Sequence, residues 1–147
     1  MKEIKTEIII DASPELVWQV LTDFESYPDW NPFLVSIEGD KEVGGRLTNK
    51  MVSNGKTNVF KPTILTWEEN QHFEWLGSLP LRLFTGRHYF ILEAINAQQT
   101  KLIHGEKFGG LLRAMIMKQI GETTLQNFLA MNRALKQQVE SKVEIGK

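Results

Sequence analysis

Between Gly109 and Glu140 one periodicity holds for longer than any other in the chain. Leu112, Ile116, Ile120, Phe128, Met131, Leu135 and Val139 recur at spacings of three, four or eight, which marks one apolar face of a continuous α-helix. At 1.5 Å per residue such a helix would run about 45 Å. Gly121 lies inside it, at a local cost of roughly 1 kcal/mol relative to alanine, and marks a gap or a close backbone approach. A helix that is apolar along one stripe needs something to lie on. Its flanking charges lack the regularity of a coiled coil, so the rest of the chain is the expected partner.

That remainder reads mostly as strands. Residues 3–10 end in Ile8-Ile9-Ile10, a β-branched run suited to a strand. Next, Asp11-Ala12-Ser13-Pro14-Glu15 starts a short helix, with Ser13 as N-cap and Pro14 in the first turn. Val17, Val20, Leu21 and Phe24 form its apolar face, and a second turn is expected around Ser26 to Trp30 before Pro32. Strands follow over 33–38, 46–53, 57–67, 72–77, 85–95 and 100–108. Asn54-Gly55 is the strongest hairpin signal, and Pro62 marks a bulge or edge within 57–67. The expected architecture is α+β: an antiparallel sheet of about seven strands, curved around the long C-terminal helix, with two short helices after the first strand. A curled sheet touches a helix only along a line, so such a grip encloses space.

A chain of 147 residues with no visible linker or repeat reads as one domain, 1–147. Seventeen Lys and Arg face eighteen Asp and Glu, without the basic excess that nucleic-acid binding needs. No apolar run reaches the length of a membrane span, and no export signal opens the chain, so a cytoplasmic location is expected. The absence of cysteine removes disulfides, thiolate catalysis and Cys-ligated metals. Gly55-Lys56-Thr57 lacks the first glycine of a phosphate loop, and there is no Gly-x-Ser-x-Gly, His-Glu-x-x-His or Gly-x-Gly-x-x-Gly. No cofactor and no metal are expected.

Two stretches resemble a known superfamily. The first is Asp11-Ala12-Ser13-Pro14-Glu15-Leu16-Val17-Trp18, continuing with Asp23-Phe24-Glu25-Ser26-Tyr27-Pro28-Asp29-Trp30-Asn31-Pro32-Phe33. The second comprises Gly86-Arg87-His88-Tyr89-Phe90 and His104-Gly105-Glu106-Lys107-Phe108-Gly109-Gly110-Leu111. Together they resemble the SRPBCC superfamily, the helix-grip group of polyketide cyclases and dehydrases, START lipid-transfer domains and pollen-allergen-like proteins. The likeness points to the polyketide cyclase/dehydrase-like branch. It implies the helix-grip fold, with a cavity between the concave sheet and the terminal helix that holds an apolar or amphipathic small molecule.

The last hairpin carries the chemistry. His88, Phe90 and Leu92 share one strand face, and Leu102, His104, Glu106 and Phe108 share the next. A three-residue loop sets His88 opposite Glu106 and Phe90 opposite His104, whereas a five-residue loop slides this by two. Three readings stay open for His88, His104 and Glu106: orienting a ligand, satisfying one another as a buried polar cluster, or moving protons in a cyclase/dehydrase-type reaction. Trp30, Phe60, Phe73, Trp75, Phe90 and Phe108 are placed to line the cavity, with Leu112, Met115 and Ile116 from the helix. Leu79, Leu81, Leu83 and Phe84 make the connector 78–85 too apolar for a solvated loop. It reads as a portal flap, a peripheral membrane contact, a dimer or other protein–protein contact in a monomer or homodimer, or a cover over the core.

Overall fold

Alternation in the β-branched run at the start of the chain produces β1, Glu3–Ile10, with Ile4, Thr6 and Ile10 buried. The computed structural model describes residues 2–145. Helix α1, Pro14–Thr22, begins as its sequence dictates: Ser13 Oγ accepts from the Leu16 amide at 3.3 Å, and Pro14 occupies the first turn. It buries Val17, Trp18, Val20 and Leu21. A 3-10 turn, Phe24–Ser26, leads into the single turn α2, Tyr27–Trp30.

Seven further strands follow: β2, Leu34–Gly39; β3, Leu47–Ser53; β4, Lys56–Phe60; β5, Thr63–Glu68; β6, His72–Ser78; β7, Thr85–Asn96; and β8, Gln99–Gly109. All pairings are antiparallel. One sheet runs β1-β8-β7-β6-β5 and a smaller one β2-β3-β4, with a single bridge, Arg46 to Thr63, between them. Asn54 and Gly55 form the two-residue turn of the β3–β4 hairpin, both with positive φ, as that tight turn requires.

Eight strands stand where the sequence suggests about seven. The expected single strand over 57–67 is two, β4 and β5, divided at Lys61-Pro62. Proline has no amide to give a ladder, and here it lets the chain leave the small sheet and join the large one. The Pro62 carbonyl still accepts from Leu47 N at 2.9 Å, which ties the break back to β3.

The long helix, α3, spans Arg113–Ile145, about 50 Å at 1.5 Å per residue. It starts later than the periodicity implies because β8 runs on to Gly109. Gly110 then turns the chain with φ 99°, its Cα pressed against the carbonyls of Arg82 and Leu83, where a Cβ would lie only 2.5 Å from Leu83 O. Leu112 N donates to the same Leu83 carbonyl at 2.8 Å, so the helix start and the 79–84 connector are fastened together.

One end of the sheet–helix interface is solid. Trp18 of α1 stands edge-on to Trp67 and Phe73, at 5.3 and 5.6 Å between centroids, and Phe73 packs on Phe90 at 4.7 Å. From the other side α3 inserts Phe128, Met131, Leu135 and Val139, all essentially without solvent contact. At the opposite end the helix stands off the sheet.

Candidate functional site

The β7–β8 hairpin sets the site's geometry. A bulge at Ile95 followed by the Ala97-Gln98 turn gives a register with His88 opposite Glu106 and Phe90 opposite His104, the first of the two alternatives read from sequence. Both histidines point inward, under α3. Trp75, Phe90 and Phe128 crowd them, with Phe128 stacked on His104 at 4.2 Å and Trp75 at 5.0 Å from His88.

A chain of hydrogen bonds fixes how these rings carry their protons. The backbone carbonyl of His104 can only accept, so the Thr6 hydroxyl donates to it, at 2.7 Å. With its one proton spent, Thr6 Oγ1 must accept from Asn132 Nδ2, 2.8 Å away on α3. The Asn132 oxygen therefore faces His104 Nδ1 at 2.8 Å and takes that ring's N–H. A neutral His104 then accepts at Nε2, and His88 Nε2–H donates to it at 2.7 Å. His88 is left with a bare lone pair on Nδ1. That atom lies 3.6 Å from Glu106 Oε1.

Burial keeps this row uncharged. Desolvation holds His104 down to about 3, against the opposing effect of its bond to Asn132. It also holds His88 well below the ordinary imidazole range, with the neighbouring ring adding to the effect. The Glu106 carboxyl is pushed the other way by the same cause, up to about 8. At neutral pH the site therefore presents an imidazole lone pair beside a protonated carboxyl, an acceptor next to a donor.

Both groups stand at the edge of a cavity of about 430 Å³. Its apolar walls come from Phe33, Met51, Phe60, Trp75, Leu79 and Phe84, with Ile120 from the helix. The remaining helix wall is polar but neutral: Gln119, Thr123, Thr124 and Asn127. Asn127 Nδ2 donates to Ser53 Oγ at 3.0 Å, a strap between α3 and β3. Two glycines directly paired across β6 and β7, Gly77 and Gly86, also line the cavity. The Glu106 carboxyl rests on Gly86, where a Cβ would lie 2.0 Å from Oε2.

The sequence profile described as "Polyketide cyclase / dehydrase and lipid transport" matches residues 1–140. The chain belongs to this family. No curated protein matches the sequence. Among solved structures, the Zhui aromatase/cyclase from Streptomyces sp. R1128 superposes with TM-score 0.76 at 17 % identity, covering 97 % of this chain and 95 % of that one. A START superfamily protein from Mycobacterium smegmatis gives 0.73 at 22 %, covering 96 % and 99 %. Norcoclaurine synthase from Thalictrum flavum, a point mutant in complex with a transition state analogue, gives 0.73 at 16 %, covering 96 % and 95 %. At these identities the likeness is one of fold.

Within this family member, Phe60, Trp75, His88 and Glu106 stand in the cavity wall. His104 lies directly behind His88, wholly buried. Phe73 and Phe90 are buried beside them in the solid core, and Phe108 stacks at 5.7 Å on the wall residue Phe84. Trp30 packs against Tyr27 at 5.0 Å, outside the wall. Leu112, just before α3, and Ile116 are half-buried and Met115 is 57 % exposed; all three lie ahead of the turns that face the cavity. The helix residues that line the cavity, Gln119, Ile120, Thr123, Thr124 and Asn127, lie about two turns after Leu112, Met115 and Ile116.

Other residues of the wall carry signals in the sequence. Gly77 and Gly86 sit inside strands, where glycine marks a close approach or a space. Gln119, Thr123 and Asn127 recur every four residues, a neutral polar stripe beside the apolar one. For Asn132 no pattern in the sequence distinguishes it from a solvated helix residue.

Proposed function

We propose that this protein binds a small apolar or amphipathic molecule in the 430 Å³ cavity, with His88 and Glu106 orienting its polar end. The observation that carries this is the pairing of a largely apolar enclosure with one acceptor–donor couple at its edge, the imidazole buried and the carboxyl 19 % exposed, which is how small-molecule sites combine affinity with orientation. Affinity would come from apolar area removed from water, at about 25 cal/mol per Å². Native mass spectrometry of purified protein, with organic extraction and mass analysis, tests it. A stoichiometric apolar adduct supports the reading. A protein that takes up none of a panel of apolar and amphipathic probes, with no competition for the cavity, defeats it.

A cyclase/dehydrase-type activity is the second reading, favoured by the same couple. His88 Nδ1 is a base whose proton-accepting lone pair is fixed, and Glu106 is an acid 3.6 Å away. Two of the related structures carry enzyme names, an aromatase/cyclase and norcoclaurine synthase. His88→Gln separates the two readings. Binding alone would change modestly, whereas proton transfer would slow by roughly two to four orders of magnitude.

The connector beside the cavity supports a route of access. Leu81 is 92 % exposed, and both Leu81 and Arg82 hold positive φ, so the apolar side chain is turned outward. Leu79, in the wall, and Leu111, 87 % exposed, extend the apolar patch. We read this lip as a peripheral membrane contact through which an apolar ligand is exchanged.

A further inference from the structure

The couple at the cavity edge also says what kind of polar end it takes, an inference that rests on the binding reading above. Among the described residues, the wall contains no Lys or Arg, and its only ionisable members are His88 and Glu106. Everything else polar there is an amide or a hydroxyl. An anionic head group, whether carboxylate, sulfonate or phosphate, would enter a low-dielectric space without a counter-charge and beside a carboxyl group.

The gap between His88 Nδ1 and Glu106 Oε1 is 3.6 Å, too long for a mutual hydrogen bond. An oxygen placed about 2.8 Å from each atom fits between them. Such an oxygen must donate to Nδ1, whose lone pair is dictated by the row from the His104 carbonyl through Thr6, Asn132 and His104. It must also accept from Glu106. A hydroxyl does both with one atom, and a carboxylate, an ether or a ketone does not. We propose that the cavity seats an uncharged ligand by a hydroxyl group, phenolic or alcoholic, bridging His88 Nδ1 and Glu106, and that it excludes organic anions.

Glu106 donates only while protonated. Across β7 it meets His88 and Gly86, across β1 Ile4, and from α3 only the neutral residues of the wall; among the described residues no cation opposes the upward push on its carboxyl. Hydroxyl recognition is therefore strongest below about pH 8 and declines above it.

Three naphthalene probes test this on the intact protein by calorimetric titration: 2-naphthol, 2-methoxynaphthalene and 2-naphthoate. At pH 7 naphthol is expected to bind about tenfold tighter than the methoxy ether, the effect of one buried hydrogen bond. Naphthoate is expected to bind weakest of the three. Raising the pH to 8.5 should weaken naphthol binding more in the wild type than in Glu106→Gln, whose amide donates at every pH. Ionisation of naphthol itself is common to both proteins. Equal binding of naphthol and its ether, or tighter binding of naphthoate, overturns the hydroxyl seat while leaving cavity binding standing. Failure of all three to bind removes the cavity reading and the inference together. Glu106→Leu supplies a second arm, since it removes the donor, and should cost naphthol and the ether alike about tenfold while the preference for naphthol, which reports donation to His88 Nδ1, remains.

Discussion

The two halves of α3 lie over one sheet and behave as different materials. From Phe128 onward the helix is core: Phe128, Met131, Asn132, Leu135 and Val139 are buried against β1, β8 and α1. Before it, only Met117 and Gly121 are buried, Ile120 is 40 % exposed, and the inward face is built of threonines and amides. The difference traces to what fills the concave sheet at each end. Under the second half, α1 and the 3-10 turn after it push Trp18 and Phe24 against Trp67 and Phe73, and the space closes. Under the first half no element plays that part, and Gly77 and Gly86 withdraw the floor. A cavity here is a region where one plug is missing from an otherwise ordinary core.

Truncation should expose this contrast most strongly. Phe128→Ala is expected to cost roughly 3–5 kcal/mol, by lost burial and the cavity left against the two imidazoles. Ile120→Ala, at the other half, should cost less than about 1 kcal/mol. Equal losses in urea denaturation would mean that the two halves are packed alike.

Asn132 lies at the boundary. Asn132→Leu takes the donor from the Thr6 oxygen and leaves His104 Nδ1–H without an acceptor in the interior, for about 1–3 kcal/mol. In the wild type, ¹⁵N chemical shifts of the ring nitrogens should show opposite tautomers, with the proton on Nδ1 in His104 and on Nε2 in His88. Finding both rings in one tautomer would break the row of hydrogen bonds that orients the site.

A smaller effect is expected with pH. Unfolded imidazoles protonate near 6.5 but folded His104 only near 3, so stability falls as pH drops through that window. Glu106 has the reverse sign. Its folded carboxyl keeps its proton up to about 8, against 4.5 unfolded, so its contribution is full below 4.5 and is lost as pH rises to 8. Together they place maximum stability on a plateau between about pH 4.5 and 6.5, where the two slopes cancel, with losses on the order of 1 kcal/mol per pH unit beyond it on either side. Glu106→Gln should flatten the alkaline side and leave the acid side intact. Persistence of the alkaline decline in that variant would assign it elsewhere.

Leu81→Ser should change stability least, by under about 0.5 kcal/mol, because the side chain touches little. Its expected effect is on sedimentation with phospholipid vesicles, which should fall several-fold. An unchanged vesicle-bound fraction would remove the membrane role of the lip.

Much of this arrangement was legible in the residues. Period-two alternation put His88, His104 and Glu106 on one face, since strand parity leaves no other choice once Phe90, Leu92 and Leu102 are inside. The helix N-cap at Ser13 and the turn at Asn54-Gly55 are local chemistry and fell where expected. The eighth strand was hidden because Pro62 interrupts hydrogen bonding without interrupting the β-rich composition. The phase of α3 against the cavity depended on where β8 ends, and two glycines blur that point in sequence. Asn132 was invisible because its meaning comes from Thr6, 126 residues away.

Gly77 has a consequence of its own. A methyl group there would meet only Phe60, at 3.9 Å, an ordinary contact, whereas one at its partner Gly86 would displace the Glu106 carboxyl. On the proposed reading, ligand size and ligand chemistry would thus be controlled at neighbouring but separate positions. Gly77→Ala offers a way to shorten the largest guest the protein accepts while leaving its hydroxyl seat untouched, so selection could retune the range of molecules handled through single steps at one backbone position.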